Sequence, residues 1–279
     1  EEETKTWQEV LSEDPSYPKN VYLSAYVSTE WKPGKVGTAR MGTKYTDENG
    51  YPLEANTVNA FGPPEGGGAR SGGEGLTCPI GINGEAVWQF NPDYVIIDGQ
   101  GDDFITFTKT WAWGGAADGL CCELARVEVS QDGEIWYELI SSEITYDEDP
   151  DPTQSNNNYI YRNVSGLHGN APSWANFRKD MQAEELIDNA GIEYWEDKEG
   201  FTISRYFEAD EDYLGGTRFD LGDFHKKDHP EDPWPVDGKM KYLKIIDDNT
   251  ILDGQNYARD WALGANLMAA MGINTEASE

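Results

Sequence analysis

The chain is short of positive charge, of cysteine, of histidine and of long apolar runs, and each shortage removes a class of function. Its 21 Lys and Arg stand against 52 Asp and Glu, a formal net charge of −31. A surface of that sign repels phosphate backbones and anionic membrane surfaces, so nucleic acid is not an expected partner. No run approaches the ~20 apolar residues that span a bilayer, so no membrane insertion is expected. The three cysteines, Cys78, Cys121 and Cys122, do not suit a disulfide scaffold. Cys78 could pair with one of the adjacent two and leave one thiol over, whereas a bridge between the neighbours Cys121 and Cys122 is rarer. No Cys-x-x-Cys or nearby His completes a zinc set. Also missing are Gly-x-Ser-x-Gly, His-Glu-x-x-His and a nucleotide loop: the glycine-rich stretch from Gly62 to Gly75 has no Lys-Ser/Thr after it. An enzyme is therefore not expected, although a glycan-degrading one needs only two carboxylates about 5–10 Å apart and leaves no motif.

What the chain does have is aromatic surface. Ten Trp, fifteen Tyr and nine Phe need a core or a ligand to cover them, which argues against the disorder so acidic a composition otherwise suggests. With 279 residues the chain can bury a sizeable core, and residues 1–279 are read as one domain. Residues 1–20 are polar and read as a leader segment. The start at Glu1-Glu-Glu-Thr4, without a basic or apolar stretch, reads as a mature secreted chain.

Strand signals dominate. Val21–Ser28 alternates with period two, as do Ala86, Trp88 and Phe90, and strand-length apolar runs follow at 94–97, 103–108, 125–130 and 135–140. Asp98-Gly99 and Asp132-Gly133 supply turns between them. A late strand is expected over 238–247, with Met240, Tyr242, Leu243 and Ile245 on its apolar face and Lys239, Lys241 and Lys244 mostly outward. Residues 144–215 read differently: loop chemistry, then helix-forming composition from Asn176 to Ala190 with Gly191 placed to cap it. This region is expected to be an insertion of loops and one helix. The predicted architecture is an all-β antiparallel sandwich. Tyr257 to Met271 is Ala-, Leu- and Met-rich, which favours a helix, yet Gly264 and Gly272 interrupt it.

Seven short motifs occur in one order: Gly62-Pro63-Pro64, Ile80–Gly84, Asp98-Gly-Gln-Gly-Asp-Asp-Phe104, Val127–Gly133, Trp136-Tyr-Glu-Leu139, Gly215–Asp223 and Tyr242–Asp248. Together they resemble a broad family of bacterial secreted and cell-surface β-sandwich proteins. The resemblance implies a jelly-roll-like sandwich, similar to carbohydrate-binding modules and discoidin-type domains. It implies an extracellular or cell-surface location, and that Leu263–Met271 is the last strand rather than a helix. In this chain Asn266 and Met268 stand where the family pattern carries acids.

Calcium is the expected cofactor. It takes six to eight oxygens from carboxylates, amides and carbonyls in irregular loops. Asp98, Asp102 and Asp103 offer three carboxylates within six residues, and Asp247, Asp248 and Asn249 are candidates to join them. Asp147, Asp149 and Asp151 mimic an EF-hand start, but Pro152 replaces its essential Gly. His225 and His229 would share a metal only on a helix, and Pro230 and Pro233 argue for a charged loop there. Sugars present C–H faces that stack on aromatic rings, so Trp111, Trp113, Trp174 and Trp234 are the candidate ligand-binding residues, Trp111 and Trp113 lying in the loop after the third strand. The expected function is a non-catalytic binding protein that recognises an extracellular glycan, with calcium stabilising its loops. Two alternatives stand beside it. One is self-assembly as a structural subunit of a surface layer or filament. The other is a surface receptor capturing a nutrient of the corrinoid type.

Overall fold

In a computed structural model the protein is an all-β antiparallel sandwich, described for residues 21–62, 77–108, 111–112, 120–121, 124–139, 144–146, 161–164, 166–169, 216–248 and 264–278. Its strands begin with β1 (Leu23–Tyr26), β2 (Cys78–Pro79), β3 (Glu85–Phe90), β4 (Tyr94–Ile97) and β5 (Phe104–Phe107). Next come β6 (Trp111–Ala112), β7 (Leu120–Cys121), β8 (Arg126–Ser130), β9 (Trp136–Leu139), β10 (Ile144–Tyr146) and β11 (Tyr161–Val164). After these follow β12 (Thr217–Phe219), β13 (Phe224–Lys226), β14 (His229–Pro233), β15 (Lys239–Met240) and β16 (Tyr242–Ile246). The last are β17 (Asn266–Leu267), β18 (Ala269–Gly272) and β19 (Thr275–Ala277).

One layer is a seven-stranded sheet in the order β1-β3-β16-β8-β9-β13-β14. The facing strands run in shorter ladders, β12-β5-β18, β15-β4-β19 and β17-β2. Strand alternation explains the core. In β3, β16 and β8, paired in register, Trp88 faces Leu243 and Leu243 faces Val129, while Ala86, Ile245 and Val127 form the next row. All six are buried, together with Phe104, Phe219 and Phe224. Phe104 and Phe219 stack at 4.9 Å between ring centroids, and Phe224 tilts against both. Each such side chain removed from water stabilises the fold by about 1.5–3 kcal/mol.

The late strand departs from its expected phase. β15 pairs with β4 and β16 pairs with β3 and β8, so the chain changes sheet at Lys241. Met240 faces the core from one ladder, and Leu243 and Ile245 face it from the other, which leaves Tyr242 half-buried on the outer face. A single alternating pattern cannot describe a strand that switches layers. The segment around Asn266 is extended rather than helical, but it divides into β17 on β2 and β18 on β5 and is not the last strand, since β19 follows. Residues 144–215 are more than loop and helix. β10 and β11 pair with each other, and Ala125 pairs with His168, which returns the chain to the core at Leu167 and His168. The expected helix at 176–190 and the leader at 1–20 lie outside the described residues. His225 and His229 sit on the strands of a β13–β14 hairpin rather than in a loop. Among the described residues, no helix is long and apolar enough to cross a membrane.

Candidate metal centre

The turn before β5 builds a carboxylate corner. Asp103 is fully buried, and its carboxylate accepts from donors in three separate segments. Its Oδ1 accepts from the Gly99 amide at 2.8 Å and from Asn274 Nδ2 at 2.7 Å, while Oδ2 accepts from the Leu221 amide at 2.7 Å. Its own backbone joins two of the same segments: the Asp103 N–H donates to Phe219 O and its carbonyl accepts from Ile273 N. Gly99 must be glycine here, because a Cβ would run into the Asn274 side chain.

Asp220 enters the corner from the end of β12. Its Oδ1 accepts from the Gly222 amide at 2.8 Å and caps the short 3-10 turn Leu221–Asp223. Asp98, Asp103 and Asp220 then each place a carboxylate oxygen within 4.8 Å of the others. Such a group of oxygens could hold a metal ion. Lost hydration, followed by the negative charges of Asp103 and Asp220, raises the Asp98 pKa above the usual carboxylate value.

The other proposed ligands lie elsewhere. Asp102 is 3.9 Å from the Arg218 guanidinium. Asp247 is buried and occupied by backbone donors, Oδ1 by Asn83 N at 2.9 Å and Oδ2 by Ala265 N at 2.6 Å. Asp248 is paired with Arg126 at 2.7 Å, and Asn249 lies outside the described residues. Asp103 precedes β5, whereas Ala265 adjoins Asn266, whose carbonyl accepts from Thr108 at the far end of that strand. Five residues of extended chain, ~17 Å, therefore separate the two groups. The described members of the expected set do not form one site. Asp103 and Asp247 instead pin two different corners of the sandwich.

The expected ligand-binding tryptophans also divide. Trp111 lies on β6, paired with Cys121 of β7, and not in a loop. Trp113 and Trp174 lie outside the described residues. Trp234 is only 3% exposed and packs edge-to-face on Tyr137 at 4.9 Å, so its ring has no face left for a sugar.

Two contributors were missed in the sequence. Asp220 stood inside the Gly215–Asp223 motif and was read only as a fold marker. His168 carried no local signal at all. It is buried, with Nδ1 2.8 Å from Thr106 Oγ1 and Nε2 2.8 Å from the Asn266 carbonyl. No family model matches the chain, and no curated protein matches it.

Proposed function

We propose that this is a secreted or cell-surface, non-catalytic binding module that recognises an extracellular glycan and holds calcium at the Asp98–Asp103–Asp220 corner. The observation that carries the calcium half is the approach of three carboxylates within 4.8 Å. Ca²⁺ accepts mixed carboxylate, carbonyl and water oxygens at 2.3–2.6 Å, and a divalent cation would offset the mutual repulsion of the group. Its role is structural. Asp103 ties the turn before β5 to the segments around Leu221 and Asn274, and a cation shared with Asp98 and Asp220 would tighten the same three segments.

The glycan half rests on Trp111, which the fold places on the β6–β7 pair, and on its sequence neighbour Trp113. Indole faces stack on sugar C–H faces while the acidic surface discourages nucleic acid. Glycan-array binding that disappears on Trp111→Ala and Trp113→Ala tests the recognition half. Calcium titration by calorimetry, with binding lost in Asp220→Asn, tests the cation half. Heat that is the same in wild type and variant would sink it.

A further inference from the structure

The acidic charge is not evenly spread. Trp31 to Thr46 carries four basic residues, Lys32, Lys35, Arg40 and Lys44, and no acid. Asp228 to Gly238 carries four acids, Asp228, Glu231, Asp232 and Asp237, and no Lys or Arg. The fold puts these segments at opposite edges of the seven-stranded sheet. The basic one lies against the β1–β3 edge, through the bridges Lys32–Glu85 and Lys35–Ile82. The acidic one forms β14, the other edge strand. Six strand spacings of ~4.8 Å separate them, ~29 Å in all.

Each edge presents a built surface. The bridge Thr46–Pro52 turns both of these residues inward, and alternation turns Tyr45, Tyr51 and Leu53 outward. Lys44 Nζ lies 5.0 Å from the Tyr45 ring centroid and Lys35 Nζ 5.2 Å from that of Tyr51, so two exposed ammonium groups are carried on aromatic supports. Lys32 is already engaged by Glu30 and Glu85, Asp47 is bonded by the Asn49 and Tyr51 amides, and Glu54 accepts from Tyr26. Met41 and Val58 add exposed apolar surface. On the opposite edge every residue of β14 is exposed, with His229 beside Glu231 at 3.4 Å. The turn that follows carries Val236, 95% exposed, beside Asp237. Pro230 and Pro233 remove two ladder donors from β14, so side chains rather than continued sheet pairing must make any contact there.

We propose that the protein associates head to tail, the Lys35–Lys44–Tyr45–Tyr51 face of one copy receiving the Glu231–Asp232–Val236 edge of the next. Like-charge repulsion between whole chains is screened beyond roughly 8 Å at physiological salt, which leaves local complementarity to decide the docking. The two surfaces differ, so the contact is heterologous, and its repetition gives an open chain unless the rotation closes it into a ring.

Sedimentation of the full chain tests this. The weight-average mass is expected to rise with concentration past that of a dimer, and to fall with added salt. Lys35→Glu with Lys44→Glu, or Glu231→Lys with Asp232→Lys, weakens association by about tenfold or more. The two double variants mixed together regain long species in strict alternation, because the reversed face of one takes the reversed edge of the other and the remaining native face and edge pair as in wild type. All four substitutions in one chain restore assembly. A wild type that stays monomeric or stops at a dimer would overturn the proposal, and so would a four-fold variant that fails to reassociate. Retention on a sulfated polysaccharide column, lost in Lys35→Glu/Lys44→Glu while wild type sediments as a monomer, assigns the basic face to an anionic glycan and overturns it too.

Discussion

The imidazole Nε2 of His168 lies 2.8 Å from the carbonyl oxygen of Asn266, with both residues buried. A carbonyl can only accept, so Nε2 carries the proton, and Nδ1 accepts from the Thr106 hydroxyl at 2.8 Å. The Asn266 side chain extends the network: its Oδ1 accepts from Thr77 at 2.9 Å, and Thr108 Oγ1 lies 3.2 Å away. The Asn266 amide thus serves a buried, neutral hydrogen-bond network.

Burial pushes the His168 pKa down to about 4, against the smaller upward pull of the Asn266 hydrogen bond. The unfolded chain then binds more protons than the folded one between about pH 4 and 6.5. Stability from this group is fully present above pH 6.5 and is lost as pH falls toward 4, roughly 3 kcal/mol in all. Urea unfolding of wild type from pH 7 to pH 4 should show that slope in addition to any shared acid effect. His168→Gln keeps a donor for Asn266 and cannot titrate, so its slope is shallower over the same window. Identical slopes would remove His168 from the account.

Asp103→Asn tests the other buried corner. An amide offers one acceptor oxygen and turns its NH₂ toward the Leu221 amide or toward Gly99 and Asn274, so at least one donor loses its partner. A buried donor left unsatisfied costs about 1–3 kcal/mol, more when a charged acceptor is replaced. The expected outcome is a loss of roughly 3 kcal/mol by denaturant titration, with the β-sheet circular dichroism retained.

Asp98→Asn separates the cation reading from plain solvation. Asp98 is exposed and faces the charges of Asp103 and Asp220. In chelator the variant is expected to melt at or slightly above the wild-type temperature, because one repelling charge is gone. With calcium present, wild type should gain thermal stability as ligand binding pulls the folded state down in free energy, and the variant should gain far less. A wild-type melting temperature indifferent to chelator would dismiss the cation.

The strands were legible because their alternation is local. Val127–Ser130 and Trp136–Leu139 lie in strands as read and pair with each other, and Asp132-Gly133 forms the turn, with Asp132 Oδ1 accepting from Glu134 and Ile135 amides at 2.8 Å. The carboxylate corner was half legible. Asp98 and Asp103 stand in one glycine-bearing turn, but Asp220 comes from more than a hundred residues away and only the sandwich brings it in. Asp247 shows the opposite failure. An acid after a strand resembles a ligand, yet this one caps the Asn83 and Ala265 amides where Gly34, Gly81 and Gly264 let three backbones touch. Composition cannot tell a carboxylate that greets solvent from one consumed by the chain.

Glu128 offers the last test, on the outer face of the seven-stranded sheet. Its carboxylate is buried and held by Lys227 and, at 2.8 Å, by Lys244, whose ammonium also lies 3.8 Å from the Trp136 ring centroid. One anion thus orders two cations drawn from the β13–β14 turn and from β16. Removing only the anion leaves Lys244, itself largely covered, without a counter-charge, and uncompensated buried charges cost about 3–5 kcal/mol. Glu128→Gln should therefore destabilise strongly. Lys227 is more exposed than Lys244, so Lys227→Met should cost well under half as much. Glu128→Gln combined with Lys244→Met should recover part of the loss, because the stranded charge is gone and the methionine still covers Trp136. Thermal melts of the three variants decide it, and equal losses for Glu128→Gln and the double variant would mean that packing, not charge, holds this face.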